Sequence, residues 1–373
     1  MGCGAVGRAI LWYLSKIVGL DEIVVVDKYT EPIEYVLKLW DMENVDVIRA
    51  DVLRSLEKLV ENVNLVCNAL PGNISYDVVR RVLENGIHVV DSSYMPEDPF
   101  SLDNIAKRND VVYVPDAGVA PGISNIMVGY FTRDLDEVES VEIYVGGLPQ
   151  APETPLRHLV NWSITDFLEE YIREARIVVD GKVKCVDPLS DYEVVFIDEE
   201  EYEAFYTDGL RTLLRTIKAK YMFEKTIRYK GHIECMRILK ELRFLSRERI
   251  RIGDLEKTIT SVTAEILRRK IYRPNMRDRV ILLVKVFGRR GRDRIEKRGI
   301  LIDYYDEQTG LSAMSRTTGF TNAIMAQLIL EGKIRLAGVL PPEYIGRELF
   351  NEIKLSENKT GQILKEIKEK EKQ

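Results

Sequence analysis

The chain opens with Met1-Gly-Cys-Gly-Ala-Val-Gly7, and this segment decides the fold of its first part. Gly2, Gly4 and Gly7 have the spacing G-x-G-x-x-G, and an amphipathic helical pattern follows at once. Glycines at these positions let the backbone approach a pyrophosphate group, which then lies at the positively polarised N-terminus of the helix. The spacing alone is a weak signal. Together with the helix, a following apolar strand and an acidic residue at the right distance, it predicts a dinucleotide-binding loop.

The acidic residue is Asp27, which ends the apolar run 23–26 and lies 20 residues after Gly7. Its carboxylate can accept hydrogen bonds from both adenosine ribose hydroxyls, and it would repel a 2′-phosphate. The neighbouring Lys28 partly offsets that repulsion. An aspartate in a solvated turn is the alternative interpretation. We expect NAD as the cofactor, with NADP less favoured.

The strand that normally precedes such a glycine loop has no counterpart before Gly2. This strand is central in the usual order 3-2-1-4-5-6, and without it strands 2 and 4 would face each other across roughly 9–10 Å. We therefore expect the native protein to start about six to eight residues upstream, which is enough for one strand. For a chain starting at Met1 we expect reduced stability and weak cofactor binding.

The first 145 residues alternate between strand and helix patterns, which is typical of a doubly wound parallel sheet. The predicted strands cover 23–27, 45–50, 63–70, 88–91, 111–115 and 139–145. The predicted helices cover 32–42, 52–61, 74–84, 101–109 and 122–133. Because ligands bind outside the carboxyl ends of such strands, the small and polar residues there should rim one crevice.

After about residue 146 the alternation stops, and Pro149, Pro152 and Pro155 mark the break. We predict a second, α+β domain over 146–315, with a strand-rich stretch at 176–230 and a hairpin over 279–304. Helices are predicted at 161–175, 231–244 and 254–270. The segment 316–345 is predicted to return as a helix to the first domain, and 346–373 to end as a strand or charged tail, frayed or disordered beyond Ser356.

The composition is that of an ordinary globular protein, with 45% apolar residues, 31% charged residues and a net charge of −6 over 373 residues. This mild negative charge argues against binding of nucleic acid or of a membrane surface. No window has the roughly 18–20 uninterrupted apolar residues of a membrane span, and a signal-peptide pattern is absent. The four cysteines and three histidines lack metal-type spacing. We expect a cytoplasmic protein with free thiols and no metal site.

The segment 114–122, Val-Pro-Asp-Ala-Gly-Val-Ala-Pro-Gly, is a candidate part of the crevice. Its two glycines and two prolines specify a rigid, unusual backbone path from a strand into a helix. An ordinary strand–helix connection would also fit this composition. Its position on the crevice side of the predicted sheet favours a functional role.

The segment 225–232, Lys-Thr-Ile-Arg-Tyr-Lys-Gly-His, holds three cations and a histidine on a predicted strand and turn. Such a cluster can hold a substrate carboxylate, with arginine providing a bidentate fork. A solvated strand edge is the alternative, and His232 by itself is more often structural than catalytic.

These motifs together resemble the saccharopine dehydrogenase and lysine 6-dehydrogenase family, most closely its lysine 6-dehydrogenase branch. The pair PDAGVAPG (115–122) and KTIRYKGH (225–232) is the specific part of this resemblance. The remaining matches are Gly2 to Gly7, LDEVESVEIYVGG (135–147), 316–320 with its helix, and VLPP (339–342). The stretch Ser92-Ser93-Tyr94 is more similar to the saccharopine-type enzymes, so the reaction type is better defined than the substrate.

The resemblance implies roles for individual residues. For the pyrophosphate it implies Gly2, Gly4, Ala5, Val6 and Gly7; for the adenosine end Asp27, Lys28 and Asp51; for the cofactor crevice Asn68, Ala69 and Leu70. Near the nicotinamide it places Ser93, Tyr94, Asp116 and Val119. Toward the substrate it places Tyr94, Arg228, His232, Arg316 and Thr318. Asp116 and His232 are the candidate catalytic residues.

The resemblance also implies an NAD-dependent amino-acid dehydrogenase that acts as a homodimer on a small molecule. In such an enzyme the α+β domain over 146–315 is inserted into the Rossmann domain, binds the substrate and forms the dimer face. We predict oxidation of L-lysine at its ε-carbon to a semialdehyde that cyclises, with release of ammonia and NADH. The amine must first be neutral, and the ε-amine of free lysine has a pKa of roughly 10.4. Either a desolvated pocket must lower this pKa, or a carboxylate must take the proton. The alternatives are a saccharopine-type dehydrogenase and, in another class, a catalytically silent NAD-sensing protein.

Overall fold

The computed structural model describes residues 1–20, 22–152, 156–274, 276–358 and 363–372, with side chains through residue 354. These residues form two compact units. The first unit joins Met1–Arg133 to Asp306–Ile363, and the second consists of Asp134–Tyr305 and the last strand. Parallel strands alternate with helices in the first unit, and a mixed sheet packs with helices in the second. The predicted class, a Rossmann-type α/β domain with an inserted α+β domain, is confirmed.

The first unit begins with five strands and six helices close to the predicted positions. The strands are β1 Ile23–Asp27, β2 Val45–Arg49, β3 Leu65–Asn68, β4 His88–Asp91 and β5 Val112–Val114. The helices are α1 Ala5–Tyr13, α2 Glu31–Leu39, α3 Val52–Leu59, α4 Gly72–Glu84, α5 Asp103–Arg108 and α6 Ile123–Thr132. A π-helical turn, Leu14–Val18, extends α1, and a 3₁₀ turn, Pro99–Leu102, precedes α5.

The second unit contains ten strands and four helices among its described residues up to Tyr305. The strands are β6 Glu137–Pro149, β7 Ala175–Val179, β8 Lys182–Val186, β9 Tyr192–Ile197, β10 Glu200–Thr207, β11 Ala219–Tyr229, β12 Arg249–Ile252, β13 Leu255–Thr258, β14 Asp278–Arg290 and β15 Asp293–Tyr304. The helices are α7 Ile164–Glu169, α8 Leu213–Thr216, α9 His232–Glu241 and α10 Ile259–Ile271. The chain then continues through α11 Ala313–Leu330, β16 Gly338–Val339, α12 Pro342–Asn358 and β17 Ile363–Lys372.

Two predictions about these elements are wrong. The run 139–145 is not a strand of the first domain: it lies in β6, which pairs with β11 and β14 of the second unit. An apolar run indicates a buried strand, but it does not identify the partner strand. The helix predicted at 254–270 starts only at Ile259, because 255–258 pairs with β12 as β13.

The segment after residue 345 differs only in part from its prediction. Helix α12 runs from Pro342 to Asn358, past the expected end of the return segment, whereas 363–372 forms a C-terminal strand, one of the two predicted forms, by pairing with β15. Backbone pairing with a distant strand leaves no local signal in a run of lysine and glutamate. Within the predicted tail, residues 359–362 and 373 lie outside the described residues.

The parallel strands of the first unit form two sheets with the start of the chain between them. One sheet pairs β1 with β2, and the other has the order β16-β5-β4-β3. The Gly2 N–H donates to Val26 O (2.9 Å) at the edge of the first sheet. On the other side the Met1 amino group donates to Cys67 O (2.8 Å) and the Ala69 N–H donates to Met1 O (2.9 Å). The glycine loop is therefore fixed to the backbone of both sheets.

Helices α1 and α11 pack together through aromatic side chains. The Phe320 ring stacks on Trp12, with ring centroids 5.6 Å apart, and lies 5.3 Å from the centroid of Tyr13. The core between α4 and the larger sheet is aliphatic, and Val78, Val79 and Val82 have no exposed surface. This packing joins residues from both ends of the chain and fixes the orientation of α1, whose N-terminus carries the glycine loop.

The second unit is built on a sheet of order β17-β15-β14-β6-β11-β10-β9, with β7 and β8 attached to β11. The β14–β15 hairpin forms as predicted. One face is covered by an apolar cluster that includes Phe167, Tyr171 and Ile233. The other face is covered by a second apolar cluster, which includes Tyr144. The Tyr144 hydroxyl donates to Glu193 (3.1 Å). Both faces of β11 are thus covered between Glu224 and Arg228, so the polar side chains in this part of the strand are buried.

Candidate functional site

The glycine loop closes tightly on itself at the start of α1. Gly2 has φ +80°, and a Cβ added to Gly7 would lie only 2.0 Å from Gly2 O. Any side chain at position 7 would therefore displace backbone atoms. The loop is held in the shape that the G-x-G-x-x-G spacing predicts.

The opposite side of this loop is open. Gly4 is the exposed N-cap of α1, and a Cβ added there would meet no atom within 4 Å. The first turn of α1 carries no acidic residue, and its Ala5 is exposed. A helix N-terminus that is open and has no acidic residue in its first turn fits a bound anion such as a pyrophosphate. The five loop residues predicted to bind this group therefore lie together in a suitable cradle.

Asp27 fastens the loop from the end of β1. Its Oδ2 accepts a hydrogen bond from the Cys3 N–H (2.6 Å), and its Oδ1 accepts one from the Tyr29 N–H (2.9 Å). Beside it, Lys28 pairs with Asp51 (3.2 Å), and the hydrogen bond from Lys28 lowers the pKa of the Asp51 carboxyl. Asp27, Lys28 and Asp51, predicted to lie near the adenosine, are thus brought to one edge of the loop.

A buried carboxylate, Asp91, joins the carboxyl ends of three strands. Its Oδ1 accepts hydrogen bonds from Asn68 Nδ2 (2.9 Å) and the Ser93 N–H (2.8 Å). Its Oδ2 accepts from Ser93 Oγ (2.9 Å) and, at 3.4 Å, from the Tyr113 hydroxyl. Asp91 and Asn68 have no exposed surface. Burial raises the pKa of Asp91 to about 6. The hydrogen-bond donors lower this pKa in part, and the negative charge of Asp116 raises it further.

The segment 114–122 follows the rigid path that its prolines and glycines predict. The Ala117 N–H donates to Asp91 O (2.7 Å), which ties the segment to β4. Gly122 has φ +135°, and a Cβ there would lie 1.9 Å from Gly118 O. Asp116 adopts φ +53° and is only 2% exposed. The segment therefore places Asp116 beside Asp91, and its Val119 is also buried.

Residues of α11 line the same segment in the first unit. Thr318 Cγ2 lies 3.5 Å from the position of a Cβ on Gly118. Arg316 is 7% exposed, lies 3.9 Å from the Asp306 carboxylate and covers the Phe320 ring.

Tyr94 follows Ser93, and its carbonyl abuts Gly72 at the start of α4. Ala69 and Leu70 contact Gly2.

Arg228 and His232 lie in the second unit, where they share a buried network. Arg228, 3% exposed, forms an ion pair with Glu170 and donates from Nε to the Tyr171 hydroxyl (3.2 Å) and from Nη1 to Ile227 O (3.0 Å). Burial raises the pKa of Glu170, although Arg228 opposes this shift. Arg228 is therefore a paired internal cation, not a solvated strand-edge residue.

The network fixes the protonation state of His232. Nδ1 lies 2.6 Å from Leu156 O, which can only accept, so Nδ1 carries the proton. Nε2 then accepts from the Tyr171 hydroxyl (2.7 Å). Burial, together with the charge of Arg228, lowers the pKa of His232 to about 3. Both ring nitrogens are occupied and the ring has no exposed surface. This placement favours a positioning role for His232 over direct proton transfer.

Two further buried carboxyls lie on the same sheet. Glu203 caps α9 by accepting from the Gly231 N–H (2.8 Å) and the Ile233 N–H (3.2 Å). Glu224, 3% exposed, accepts one hydrogen bond from Thr207 (3.3 Å), and its Oε2 has no hydrogen-bond partner among the described residues. Burial raises the pKa of Glu224 to about 8.

The sequence predictions missed three acidic groups as site residues, namely Glu170, Glu203 and Glu224. Carboxylates are mostly exposed, so composition and periodicity assign them to the surface. A signal for Glu224 was its place in the alternation of Met222, Glu224, Thr226 and Arg228 along one face of β11. Asp91, at the end of the apolar strand β4, is one of the polar strand-end residues that were expected to rim the crevice.

Both parts of the chain match one family. Residues 1–114 match the sequence model of the saccharopine dehydrogenase NADP binding domain, and residues 118–356 match that of the saccharopine dehydrogenase C-terminal domain. The chain belongs to the saccharopine dehydrogenase family. This confirms the family predicted from the motifs. The narrower assignment to the lysine 6-dehydrogenase branch stays a prediction.

Individual relatives agree with this assignment. Saccharopine dehydrogenase [NADP(+), L-glutamate-forming] of Saccharomyces cerevisiae is 24% identical over 391 residues, which cover 84% of this chain and 86% of the relative. Mitochondrial alpha-aminoadipic semialdehyde synthase of Rattus norvegicus is 21% identical, and the match covers 95% of this chain but 46% of the relative. The chain thus spans about half the length of the aminoadipic semialdehyde synthases that it matches.

A solved structure shares the fold. Apo saccharopine dehydrogenase (L-Glu forming) from Saccharomyces cerevisiae superposes with a TM-score of 0.79 at 19% identity and covers 99% of this chain and 98% of its own. Among the residues described here, no helix combines the length and apolarity needed to cross a membrane. The same residues include no group of three or more metal-ligating side chains placed to hold a metal ion.

Proposed function

We propose that the protein is a pyridine-nucleotide-dependent dehydrogenase that oxidises a carbon–nitrogen bond of a lysine-derived amino acid. The observation that carries this proposal is the open N-terminus of α1 above a glycine loop that Asp27 fastens. The bound oxidised dinucleotide would supply the hydride acceptor. Membership of the saccharopine dehydrogenase family supports the amino-acid substrate class.

For the cofactor we propose NAD, with NADP as the competing form. The Asp27 carboxylate at the end of β1 would repel a 2′-phosphate. Lys28 is already paired with Asp51, so its positive charge compensates less of that repulsion. The family model and the yeast relative are both named for NADP, which favours the other form. Measuring kcat/KM with each dinucleotide separates the two.

For the substrate the first candidate is saccharopine, the compound in the name of the yeast relative. The second candidate is free L-lysine, oxidised at its ε-carbon with NAD. The Asp27 carboxylate and the KTIRYKGH segment favour this second candidate through their resemblance to lysine 6-dehydrogenases. Saccharopine carries an additional dicarboxylate arm and so requires more cationic contacts than lysine does.

We assign roles to residues of each unit. Asp116, buried beside Asp91, is the proposed acceptor of the proton from the substrate amine. Arg228 is the proposed anchor of a substrate carboxylate, which would share or replace its pairing with Glu170. His232 and Tyr171 would orient Arg228, since their hydrogen bonds run from Arg228 Nε through Tyr171 to His232.

A substrate panel tests the proposal. Saccharopine, L-lysine and other basic amino acids are incubated with NAD or NADP while the absorbance of the reduced dinucleotide is followed. Turnover of saccharopine supports the first candidate, and turnover of lysine with NAD supports the second. Tight dinucleotide binding without turnover of any compound would identify a catalytically silent nucleotide-binding protein and contradict the proposal.

We also propose that the second unit forms a homodimer, as the family resemblance implies. Sedimentation equilibrium of the full chain should give twice the monomer mass of 42.9 kDa. A monomer at micromolar concentration would contradict this part of the proposal.

A further inference from the structure

The carboxylate of Asp91 organises groups from three neighbouring strands. Asn68 ends β3, Asp91 ends β4 and Tyr113 lies in β5, and all three side chains are fully buried. Four donors converge on the two carboxylate oxygens, at distances between 2.8 and 3.4 Å. A carboxylate with this many donors holds them more firmly than a neutral acceptor would.

The bond from Asn68 fixes the orientation of that amide. Because Asp91 Oδ1 can only accept, Asn68 must direct Nδ2 toward it, and the same nitrogen also reaches Ser75 Oγ (3.1 Å). The Asn68 Oδ1 is then left without a hydrogen-bond partner among the described residues. A buried acceptor that its own network leaves over is a candidate contact for a bound group.

The second arm of the network fixes Ser93. Both its N–H and its hydroxyl donate to Asp91, so the backbone leaving β4 and the side chain are held together. Ser93 and Asn68 lie at the carboxyl ends of adjacent parallel strands, where doubly wound sheets bind their ligands. Asp91 itself has no exposed surface and cannot touch a bound molecule directly.

We propose that Asp91 is a positioning residue that sets Asn68 and Ser93 in the geometry required to bind the nicotinamide half of the dinucleotide. This inference rests on the proposed function. It extends that function to a residue to which no role has been given, and it assigns Asp91 an effect on cofactor affinity instead of on substrate binding.

The charge state of Asp91 gives the inference a separate readout. Its raised pKa of about 6 means that the carboxyl gains a proton within an accessible pH range. The titratable groups that face it are Asp116 from the following loop and the Tyr113 hydroxyl from β5; Asn68 and Ser93 are neutral. Protonation removes acceptor capacity from one oxygen and should loosen Ser93 or Asn68.

The experiment measures NAD affinity by calorimetry at several pH values for the full-length protein and three variants. For the wild type we expect the affinity to fall about tenfold between pH 7 and pH 5, one unit below the pKa. Asp91→Asn is an uncharged isostere of the protonated carboxyl. It should bind NAD at pH 7 about as weakly as the wild type does at pH 5, and its affinity should no longer depend on pH in this range. Asp91→Ala should weaken binding at least tenfold at pH 7.

The matched control is Asp98→Ala. Asp98 is exposed and accepts from the Phe100 N–H at a nearby helix start, so it shares the residue type and the local region but not the network. The NAD affinity of Asp98→Ala and its dependence on pH should equal those of the wild type. If Asp91→Ala does not fold, Ser93→Ala replaces it, because it deletes only the hydroxyl contact; its NAD affinity at pH 7 should fall.

The outcomes are distinct. If Asp91→Asn retains the pH dependence of the wild type, or if Asp91→Ala binds NAD as tightly as the wild type, the positioning role is overturned while the proposed function stands. If Ser93→Ala replaces Asp91→Ala and binds with wild-type affinity, the positioning role is overturned as well. If the wild type binds neither NAD nor NADP at any pH, the proposed function fails and the inference fails with it.

Discussion

The backbone N–H of Cys3 donates to the carboxylate of Asp27 across 2.6 Å, which ties the glycine loop to the end of β1. Asp27 therefore has a structural task in addition to its predicted contact with the adenosine ribose. A second backbone donor, the Tyr29 N–H, occupies its other oxygen. A residue that both shapes the loop and selects the cofactor should show two separable effects when it is changed.

Replacing Asp27 with alanine should weaken NAD binding about tenfold or more, because the charge-assisted hydrogen bond to the loop at Cys3 is lost together with the one to the backbone of Tyr29. The preference for NAD over NADP should also fall, since the repulsion of a 2′-phosphate disappears. Titration of both dinucleotides by fluorescence measures the two effects. Glu31→Ala, which removes an exposed carboxylate paired with Arg49, is the control and should change neither. Unchanged NAD affinity in Asp27→Ala would refute the anchoring role.

Two glycine substitutions in one loop should behave differently. Gly7→Ala places a Cβ 2.0 Å from the backbone oxygen of Gly2, so the loop must shift and the protein should lose about 1–3 kcal/mol of stability. Gly4→Ala meets no atom within 4 Å and should fold normally, but its methyl group lies where a pyrophosphate would approach. Thermal unfolding and NAD titration together test this contrast. A stable Gly7→Ala with full NAD affinity would be incompatible with it.

Arg228→Lys should raise the KM for the amino-acid substrate about tenfold or more, because lysine cannot replace the directed guanidinium bonds to Glu170, Tyr171 and Ile227 O. The dissociation constant for the dinucleotide should not change. The control is Lys230→Ala in the same segment, whose exposed side chain pairs only with Glu201 among the contacts described. Steady-state kinetics with both substrates varied makes the comparison. An unchanged KM in Arg228→Lys would rule out the anchor assignment.

Glu224 should make stability depend on pH. Its pKa in the folded state, about 8, lies above the ordinary value of 4.5, so the folded protein retains a proton that the unfolded chain loses between these pH values. The contribution of Glu224 to the free energy of unfolding is therefore greatest at low pH. It falls by about 4–5 kcal/mol in total as the pH rises through this window. Glu224→Gln should remove that slope. Urea unfolding of both proteins at pH 5 and pH 8.5 gives the difference, and equal slopes would contradict the buried-acid assignment.

The glycine loop, the helix after it and the acid at the end of β1 were readable from the sequence because their signals are local. Spacing, periodicity and chain order within about 30 residues specify this part of the Rossmann fold. The path of 114–122 was also readable, since prolines and glycines restrict the backbone directly. The family followed from the combination of these motifs with KTIRYKGH.

The partners of each element were decided only by the tertiary structure. The sequence of β6 indicates a buried strand, yet only long-range pairing with β11 and β14 assigns it to the second unit. Asp91 and Glu224 belong to a residue type that is mostly exposed, yet the fold buries both beneath neighbouring strands and helices. A local pattern determines which residues form a helix or a strand, whereas burial, charge pairing and pKa depend on what lies across the fold, and for these residues that comes from distant parts of the chain.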